Sequence, residues 1–400
     1  LPEAIVCKWC GKSFHYLKSH ISMGRCENIP ESAKGLDVDE VVKMYTTAFP
    51  DEPTISRTAL AKLNEKRAEK HSGEGKVAEI SAHPGYAGTV EYKTELVAAH
   101  ELLGVTIKEL GTPRGKPLQV TVNVNTPYPE FVPEAKKNYV YGDFDLIKDI
   151  FMMLEIGIPG YLWGHAGTGK SSLPTQLCAL LNRPLIRAQH TASMEEAHVT
   201  GQILARDGST YFEPGLLALA MKNGWVYLAD EYDFAFPQIL GVYQPVLEGE
   251  PLIIKEATPD WRRITPHKRF AFIGTGNTNG SGDETGLYQG TNIQNAANFS
   301  RFGIVSNVKY MSTKAEVNML AEAGVIREYA EKMVKFANLV REGYEQHLIS
   351  QPIGPRELLL SAKIGMMRGD FSAGIEKSFI NKLPSTSAQA AREVVQKIFG

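Results

Sequence analysis

Along this 400-residue chain the spacing of apolar positions changes several times, and the changes mark out its parts. Asp143 to Leu154 carries apolar residues at helical intervals and predicts an amphipathic helix. Ile156 to Trp163, interrupted by Gly157 and Pro159, is an apolar strand-like run, and Leu173 to Leu181 then reads as a helix. Trp225–Ala229 and Phe270–Gly274 are short continuous apolar runs, the pattern of strands buried on both faces. A further apolar helix follows Glu357. The pattern over this half is that of an α/β protein. Nearer the start, Leu36–Phe49 and Thr54–Lys70 predict two helices, the second capped by Thr54 or Ser56 and ending in a solvated Lys/Glu-rich face. From His71 to Val132 the texture turns to Gly, Pro and Thr, with a β-rich piece at Leu118–Val124 and a candidate helix at Tyr92–Leu103. That stretch reads as a linker or small mixed subdomain.

Composition changes this picture little. The formal net charge of -2 argues against a protein that coats nucleic acid, though a local basic module remains compatible with it. No apolar run reaches the roughly 18 residues of a membrane span. Lys8, Lys12 and His15 interrupt any signal-peptide core. Three of the four cysteines crowd into one short segment, which suggests metal ligation in a reducing compartment and a cytoplasmic location.

The strand–helix junction at Gly160–Ser172 reads GYLWGHAGTGKSS. Gly164, His165, Ala166, Gly167, Thr168, Gly169, Lys170 and Ser171 fit G-x-x-x-x-G-K-[ST], with Ser172 next along. Such a loop turns backbone N–H groups onto phosphate oxygens at a helix N-terminus. Lys170 can reach the β- and γ-phosphates of ATP, and Ser171 offers its hydroxyl to Mg²⁺. The strand at Trp225–Ala229 ends in Asp230-Glu231. There Asp230 would hold the Mg²⁺ shell, while Glu231 would orient or deprotonate the attacking water. The third strand leads to Asn277, placed to bridge that water and the γ-phosphate. Arg301, in Phe299-Ser300-Arg301-Phe302-Gly303, would reach a neighbour's γ-phosphate across a subunit boundary; the alternative is a surface ion pair. Arg356, in Gly354-Pro355-Arg356-Glu357, could reach nucleotide from a C-terminal lid.

The first module is separate. Cys7 and Cys10 form a C-x-x-C knuckle, His20 follows after nine residues, and Cys26 after five more. This spacing suits a tetrahedral Cys₃His Zn²⁺ site with two ligands from a turn and two from a following helix. Phe14 and Leu17 fall where so small a unit needs apolar packing, and the metal would supply on the order of 10–16 kcal/mol towards folding. His15 would leave another ligand redundant. The run C-G-x-x-F-x-x-L-x-x-H resembles the short zinc fingers of the Ros/MucR type, with Cys26 where they usually place histidine. Those relatives bind DNA, and Lys8, Lys12, Lys18 and Arg25 make this one basic. A protein-docking or structural role is equally compatible.

The series of phosphate loop, Asp-Glu strand, Asn strand, Arg and lid Arg resembles that of AAA+ ATPases, which implies a homo-oligomeric ring, a hexamer, completed by an arginine in trans. From about Val132 onward the chain is similar to the CobS-type ATPase subunit of aerobic cobaltochelatase, in the MoxR branch. The resemblance is carried by DEYDFAFPQILGVYQPVLEGE, by TPHKRFAFIGTGNTNGSGDETGLYQGTNIQNAANFSRFGIVSNVKYM, by IGPREL and by QKIFG. It implies a parallel sheet flanked by helices with a C-terminal helical lid. The expected division is a zinc finger over 1–34, a helical segment over 35–72, a linker or subdomain over 73–131, the ATPase core over 132–310 and the lid over 311–400. It also implies inserted hairpins at Gly201–Gly215, turning at Asp207-Gly208, and at Leu252–Thr265. Tyr211, Phe212 and Trp261 are then candidate pore or partner contacts, with ordinary packing the alternative. His165 and His267 are expected to be structural or nucleotide-adjacent. In that family the ATPase drives cobalt insertion into a corrin ring with a von Willebrand A-type subunit and a large chelatase subunit. This chain lacks the D-x-S-x-S motif of the partner domain, so whatever is chelated or remodelled is expected on another protein. The alternatives are a MoxR-type ATPase remodelling a non-chelatase target, or a DNA-binding regulator gated by ATP.

Overall fold

The computed structural model describes residues 2–50, 52–59, 90–206 and 208–400. Two compact units are present, each with its own core.

The N-terminal unit begins with a two-stranded hairpin, Ile5–Val6 against Ser13–Phe14, followed by the six-residue helix Leu17–Ser22. A longer helix, Val38–Ala48, starts at Asp37, whose side chain accepts from the backbone N–H groups of Asp39 and Glu40. Its Val41 and Tyr45 enter one core with Ile5, Phe14, Leu17 and Ile21. Tyr45 also accepts the Lys8 N–H at 3.0 Å, tying this helix to the cysteine knuckle. Of the two proposed caps for the next helix, Ser56 is the one used: its Oγ accepts the Ala59 N–H at 3.2 Å. The remainder of the helix expected over Thr54–Lys70 lies outside the described residues beyond 59.

The second unit is built on a parallel sheet of five strands. These are β1 (Gly160–Trp163), β2 (Leu185–Gln189), β3 (Val226–Asp230), β4 (Ala271–Gly276) and β5 (Ile304–Asn307), in the order β5-β1-β4-β3-β2. Alternate residues feed the two faces. Tyr161, Tyr227 and Phe272 enter one core, while Leu162, Leu228 and Ile273 enter the other beside Ile147, Ile150 and Leu177. Burial on both sides explains why the inner strands β3 and β4 read as unbroken apolar runs. Helix α1 (Phe144–Ile156) is capped by Asp143, and α2 (Ser172–Leu180) follows β1. Five more helices, Thr313–Glu322, α3 (Arg327–Glu345), α4 (Pro355–Arg368), Phe371–Ser378 and Ser385–Phe399, form the C-terminal bundle around a separate apolar cluster.

Several expectations require correction. The first sheet strand is shorter than its apolar run, because α1 extends to Ile156 and ends with Gly157 in the left-handed conformation. Tyr92–Leu103 is not one helix. Thr94–Ala98 pairs antiparallel with Gln119–Asn123, placing Val97 opposite Val120, and only Ala99–Leu103 is helical. The inserted hairpin is present as Gly201–Arg206 and Ser209–Pro214, with Gly208 at φ +78 in its turn and Asp207 outside the described residues. The second hairpin is reduced to Leu252–Ile253 against Arg263–Ile264, joined through the one-turn helix Pro259–Arg262. Phe212 packs into the core, as the ordinary-packing alternative has it, while Trp261 packs partly against that core with the Lys222 ammonium 4.0 Å from its ring centre.

Candidate active site

The loop between β1 and α2 takes its shape from glycine. Gly164 has φ +146, and a Cβ there would sit 2.4 Å from the Val308 carbonyl oxygen, so no other residue fits. Gly169, at φ +103, turns the chain into α2, whose Leu173 N–H donates back to the Gly169 carbonyl at 2.9 Å. Inside this turn the Lys170 ammonium donates to the carbonyls of Gly164 and His165, at 2.7 and 2.9 Å, and to Asn277 Oδ1 at 3.0 Å. Burial lowers its pKa to about 8, against the opposing pull of Asp233, Asp230 and Glu231. Thr168 donates to the His165 carbonyl, and Ser172 approaches Tyr139 Oη at 3.3 Å.

Asp230 closes β3 with its side chain almost wholly buried. Its Oδ1 accepts from the Ser171 hydroxyl and, at 2.5 Å, from Thr275 on β4. Burial opposes its charge, but these hydrogen bonds and the Arg187 guanidinium outweigh burial and hold the carboxyl below its ordinary value. Glu231 is shifted the other way, raised by burial and by the like charges of Asp230 and Asp233. Its backbone lies at φ 54, ψ 42, a left-handed conformation of the kind that a surrounding site must hold in place. The Glu231 carboxylate accepts from Gln189 on β2. One acid is therefore kept ionised and the other moved towards proton uptake, a division suited to a metal-shell ligand beside a base.

Three residues of this cluster were not singled out in the sequence. Asp233 is fully buried, and its Oδ2 accepts the N–H groups of Asn277 and Thr278 at 2.8 and 2.9 Å and the Thr278 hydroxyl at 3.0 Å. It fixes the turn that carries Asn277. A third acid so close behind Asp230-Glu231 was the available signal. Arg187, bonded to Asp230, and Gln189, bonded to Glu231, gave none, because a polar residue on an apolar strand looks like an exposed edge.

Arg356 stands at the start of α4, where its Cβ lies 3.5 Å from the position a Cβ would take on Gly167. The lid helix therefore abuts the phosphate loop. His165 is enclosed beside it: Nδ1 is 2.9 Å from Tyr288 Oη, the ring stacks on Tyr310 with centroids 5.8 Å apart, and Tyr344 of α3 meets it edge-on. Tyr288 Oη also accepts the Ala166 N–H at 3.0 Å. His267 is structural, bonded to the Val90 carbonyl and accepting the Arg269 N–H. Arg301 is not brought to this loop. Its Nε donates to Glu248 at 2.8 Å and its Nη1 to the Ala297 carbonyl.

In the N-terminal unit the side-chain donors of Cys7, Cys10, His20 and Cys26 all lie within 4.8 Å of one another. The Cys7 and Cys26 sulfurs are 3.7 Å apart and Cys10 Sγ is 3.3 Å from His20 Nε2. Zinc–sulfur bonds of about 2.3 Å in a tetrahedron set sulfur pairs about 3.8 Å apart, so the donor set fits Zn²⁺. His15 is engaged by Ser56 instead, at 3.0 Å. The helix ends at Ser22, so His20 is helical and Cys26 comes from the loop beyond, not from the helix. Lys8, Lys12 and Lys18 are each ion-paired, with Glu52, Glu27 and Asp39.

A glycine loop carrying lysine and serine, opposed by two strand-end carboxylates and an asparagine strand under a helical lid, defines an AAA+ ATPase. Residues 161–291 match the family described as AAA domain (dynein-related subfamily). The chain is 32% identical over 249 residues to the aerobic cobaltochelatase subunit CobS of Sinorhizobium sp, covering 59% of this chain and 74% of that one. It belongs to the CobS family of AAA+ ATPases. An uncharacterized protein of Staphylococcus aureus is 23% identical over 265 residues, covering 64% of this chain and 96% of its own. Among solved structures, the Thermotoga maritima RuvB Holliday junction branch migration motor overlaps 66% of this chain and 72% of its own, at 14% identity and a TM-score of 0.38.

Proposed function

We propose that this chain hydrolyses ATP as one subunit of a ring and uses the cycle to remodel a partner protein. One observation carries this reading: the loop meets the ends of two neighbouring strands, with Lys170 bonded to Asn277 beyond β4, and Ser171 and the β4 residue Thr275 both bonded to Asp230 of β3, whose neighbour Glu231 donates its N–H to Thr275. Bound Mg²⁺ would neutralise the phosphate charge that develops during transfer, and the hydroxyl of Ser171 beside the Asp230 carboxylate is a hard oxygen set that suits it. Lys170 would hold the phosphates, Glu231 would take the proton of the attacking water, and Asn277 would orient that water. Arg356 would read nucleotide state from the lid. Arg301 lies in the role of a finger presented to a neighbouring subunit, with Glu248 holding it until then.

The target follows less directly. By kinship with the cobaltochelatase subunit, the work is cobalt insertion carried out on a chelatase partner. A von Willebrand A-type partner acting on a non-chelatase target is the second reading. The regulator reading is the weakest, because three of the four basic residues that would face DNA are already paired with acids of their own unit.

ATPase assays with and without partner subunits test the proposal. Lys170→Ala is expected to abolish nucleotide binding. Glu231→Gln should bind ATP, stall hydrolysis by a factor of about 10²–10⁴, and stabilise the ring. Cobalt-dependent stimulation by chelatase partners would support the chelatase reading. Normal ATP turnover with no metallated tetrapyrrole from any such partner would remove it. Loss of DNA retention on deleting residues 1–34 would instead favour the regulator.

A further inference from the structure

Strand β2 is the edge of the sheet, and its polar residues are spaced to meet the acids of β3. Ile186 and Ala188 point into the core, so Arg187 and Gln189 share the opposite side. The register sets Arg187 beside Leu228 and Gln189 beside Asp230. From there Arg187 reaches diagonally forward. Its Nε, at 2.7 Å, and its Nη2 both donate to Asp230 Oδ2. Among the described residues the other oxygen, Oδ1, receives Ser171 and Thr275. The two oxygens thus have separate donor sets, and a partial rotation of the carboxylate would weaken all of them at once.

Arg187 does not hold the fold together. Its side chain is 56% exposed while that of Asp230 is 4% exposed. A guanidinium so open to water and counter-ions contributes little to stability. What it can supply is orientation, since two donors from one rigid plane fix an acceptor better than a single ammonium does.

We propose that Arg187 is a positioning residue for the hydrolytic reaction: by occupying Asp230 Oδ2 it keeps Oδ1 turned to the Ser171 hydroxyl, where Mg²⁺ of the bound nucleotide is held. This rests on the ATPase reading above. With Oδ1 accepting the Ser171 proton, the lone pairs of Ser171 Oγ remain free for the metal. Without Arg187 the carboxylate keeps only its Ser171 and Thr275 donors, its plane is less firmly fixed, and only some of its orientations leave the hydroxyl so arranged. The effect falls on metal-dependent steps and leaves metal-free contacts of the loop with phosphate alone.

The test compares wild type, Arg187→Ala and Arg187→Lys in the full-length protein. A fluorescent ATP analogue is titrated with and without Mg²⁺, alongside turnover and thermal melting. For Arg187→Ala the Mg²⁺ concentration giving half-maximal binding enhancement should rise about tenfold, the range for partners that orient a metal ligand. Affinity without Mg²⁺ should stay within about twofold and melting should be little changed, since the partner removed is the exposed one and Asp230 keeps its Ser171 and Thr275 donors. Turnover should fall while KM measured at saturating Mg²⁺ changes less. Arg187→Lys, which keeps the charge but loses the planar fork, should recover part of the Mg²⁺ shift. A wild-type Mg²⁺ requirement in Arg187→Ala overturns the proposal. So does a lowered requirement, which would make Arg187 a competitor of the metal, and so does a joint loss of metal-free affinity and melting temperature, which would make it structural. Failure of wild type to bind the analogue at all would remove the ATPase reading itself, a result distinct from each of these.

Discussion

Asp233 carries more of the site than its place in the chain suggests. It satisfies two backbone N–H groups and a hydroxyl in the Asn277–Thr278 turn, and its Oδ1 has no hydrogen-bond partner among the described residues. Burial raises its pKa against the pull of those donors. Asp233→Ala would strand buried donors at about 1–3 kcal/mol each, and a displaced Asn277 should lower kcat about tenfold or more. Asp233→Asn keeps an acceptor oxygen in place, so it should retain most of the stability and much of the rate. Chemical denaturation and steady-state kinetics on the two variants check this; equal loss in both would show that charge, not the acceptor, is what the turn needs. The same scale shows what the sequence could reveal of the site. Lys170, Ser171, Asp230, Glu231 and Asn277 were legible because each sits at a fixed step from a glycine turn or a strand end. Arg187 was not, because its role depends on which strand lies beside which, and Asp233 showed only as a third acid close behind Asp230-Glu231, its hold on the turn after β4 being a long-range contact.

At the scale of elements, β2 and β3 are joined by a buried histidine as well as by the sheet. His190 lies just past β2, with Nδ1 donating to the carbonyls of Ala188 on β2 and Asp230 on β3, at 3.0 and 3.2 Å, and Nε2 2.8 Å from Tyr243 Oη. Burial favours the neutral ring and lowers its pKa to about 4. An unfolded histidine, near 6.5, takes up protons first as pH falls, so the folded state loses stability between about pH 6.5 and pH 4 and none above that window. By pH 4.5 the term is about 2.5 kcal/mol. Denaturant midpoints for wild type and His190→Gln should converge as pH drops from 7 to 4.5, because only the wild type carries this term; parallel curves would refute it. The elements themselves were read well where burial is symmetric. The inner strands β1, β3 and β4, with α1 and α2, appeared as apolar runs and helical spacing, with errors of a few residues where Gly157 stops a helix, whereas the edge strands β2 and β5, which carry exposed polar residues, were not read. Tyr92–Leu103 was misread because TELVA becomes a strand only through its pairing with Gln119–Asn123, a contact made at long range.

The whole molecule has two units with independent cores, and each offers a prediction. The N-terminal unit should bind about one zinc per chain, and a chelator should melt that unit while nucleotide binding persists in the other, since a site of this kind contributes on the order of 10–16 kcal/mol. A folded, metal-free unit would overturn the Cys₃His assignment. The ATPase unit makes the larger claim, that its site is completed by a second copy. Arg301 is held by Glu248, itself half exposed, and shares no hydrogen bond with the phosphate loop of its own chain among the described residues. If Arg301 serves a neighbour, Arg301→Ala should lose about 10³–10⁵ in turnover, the contribution of arginine fingers. Mixing that variant with Lys170→Ala then separates the two geometries. In an equal random mixture about a quarter of the interfaces join an intact loop to a neighbour's intact arginine, so activity returns in part when the site is shared between subunits. If arginine and loop act within one chain, every subunit in the mixture carries one defect and none recovers. Mixed rings shown to form, yet without activity, would leave Arg301 as nothing more than the surface partner of Glu248.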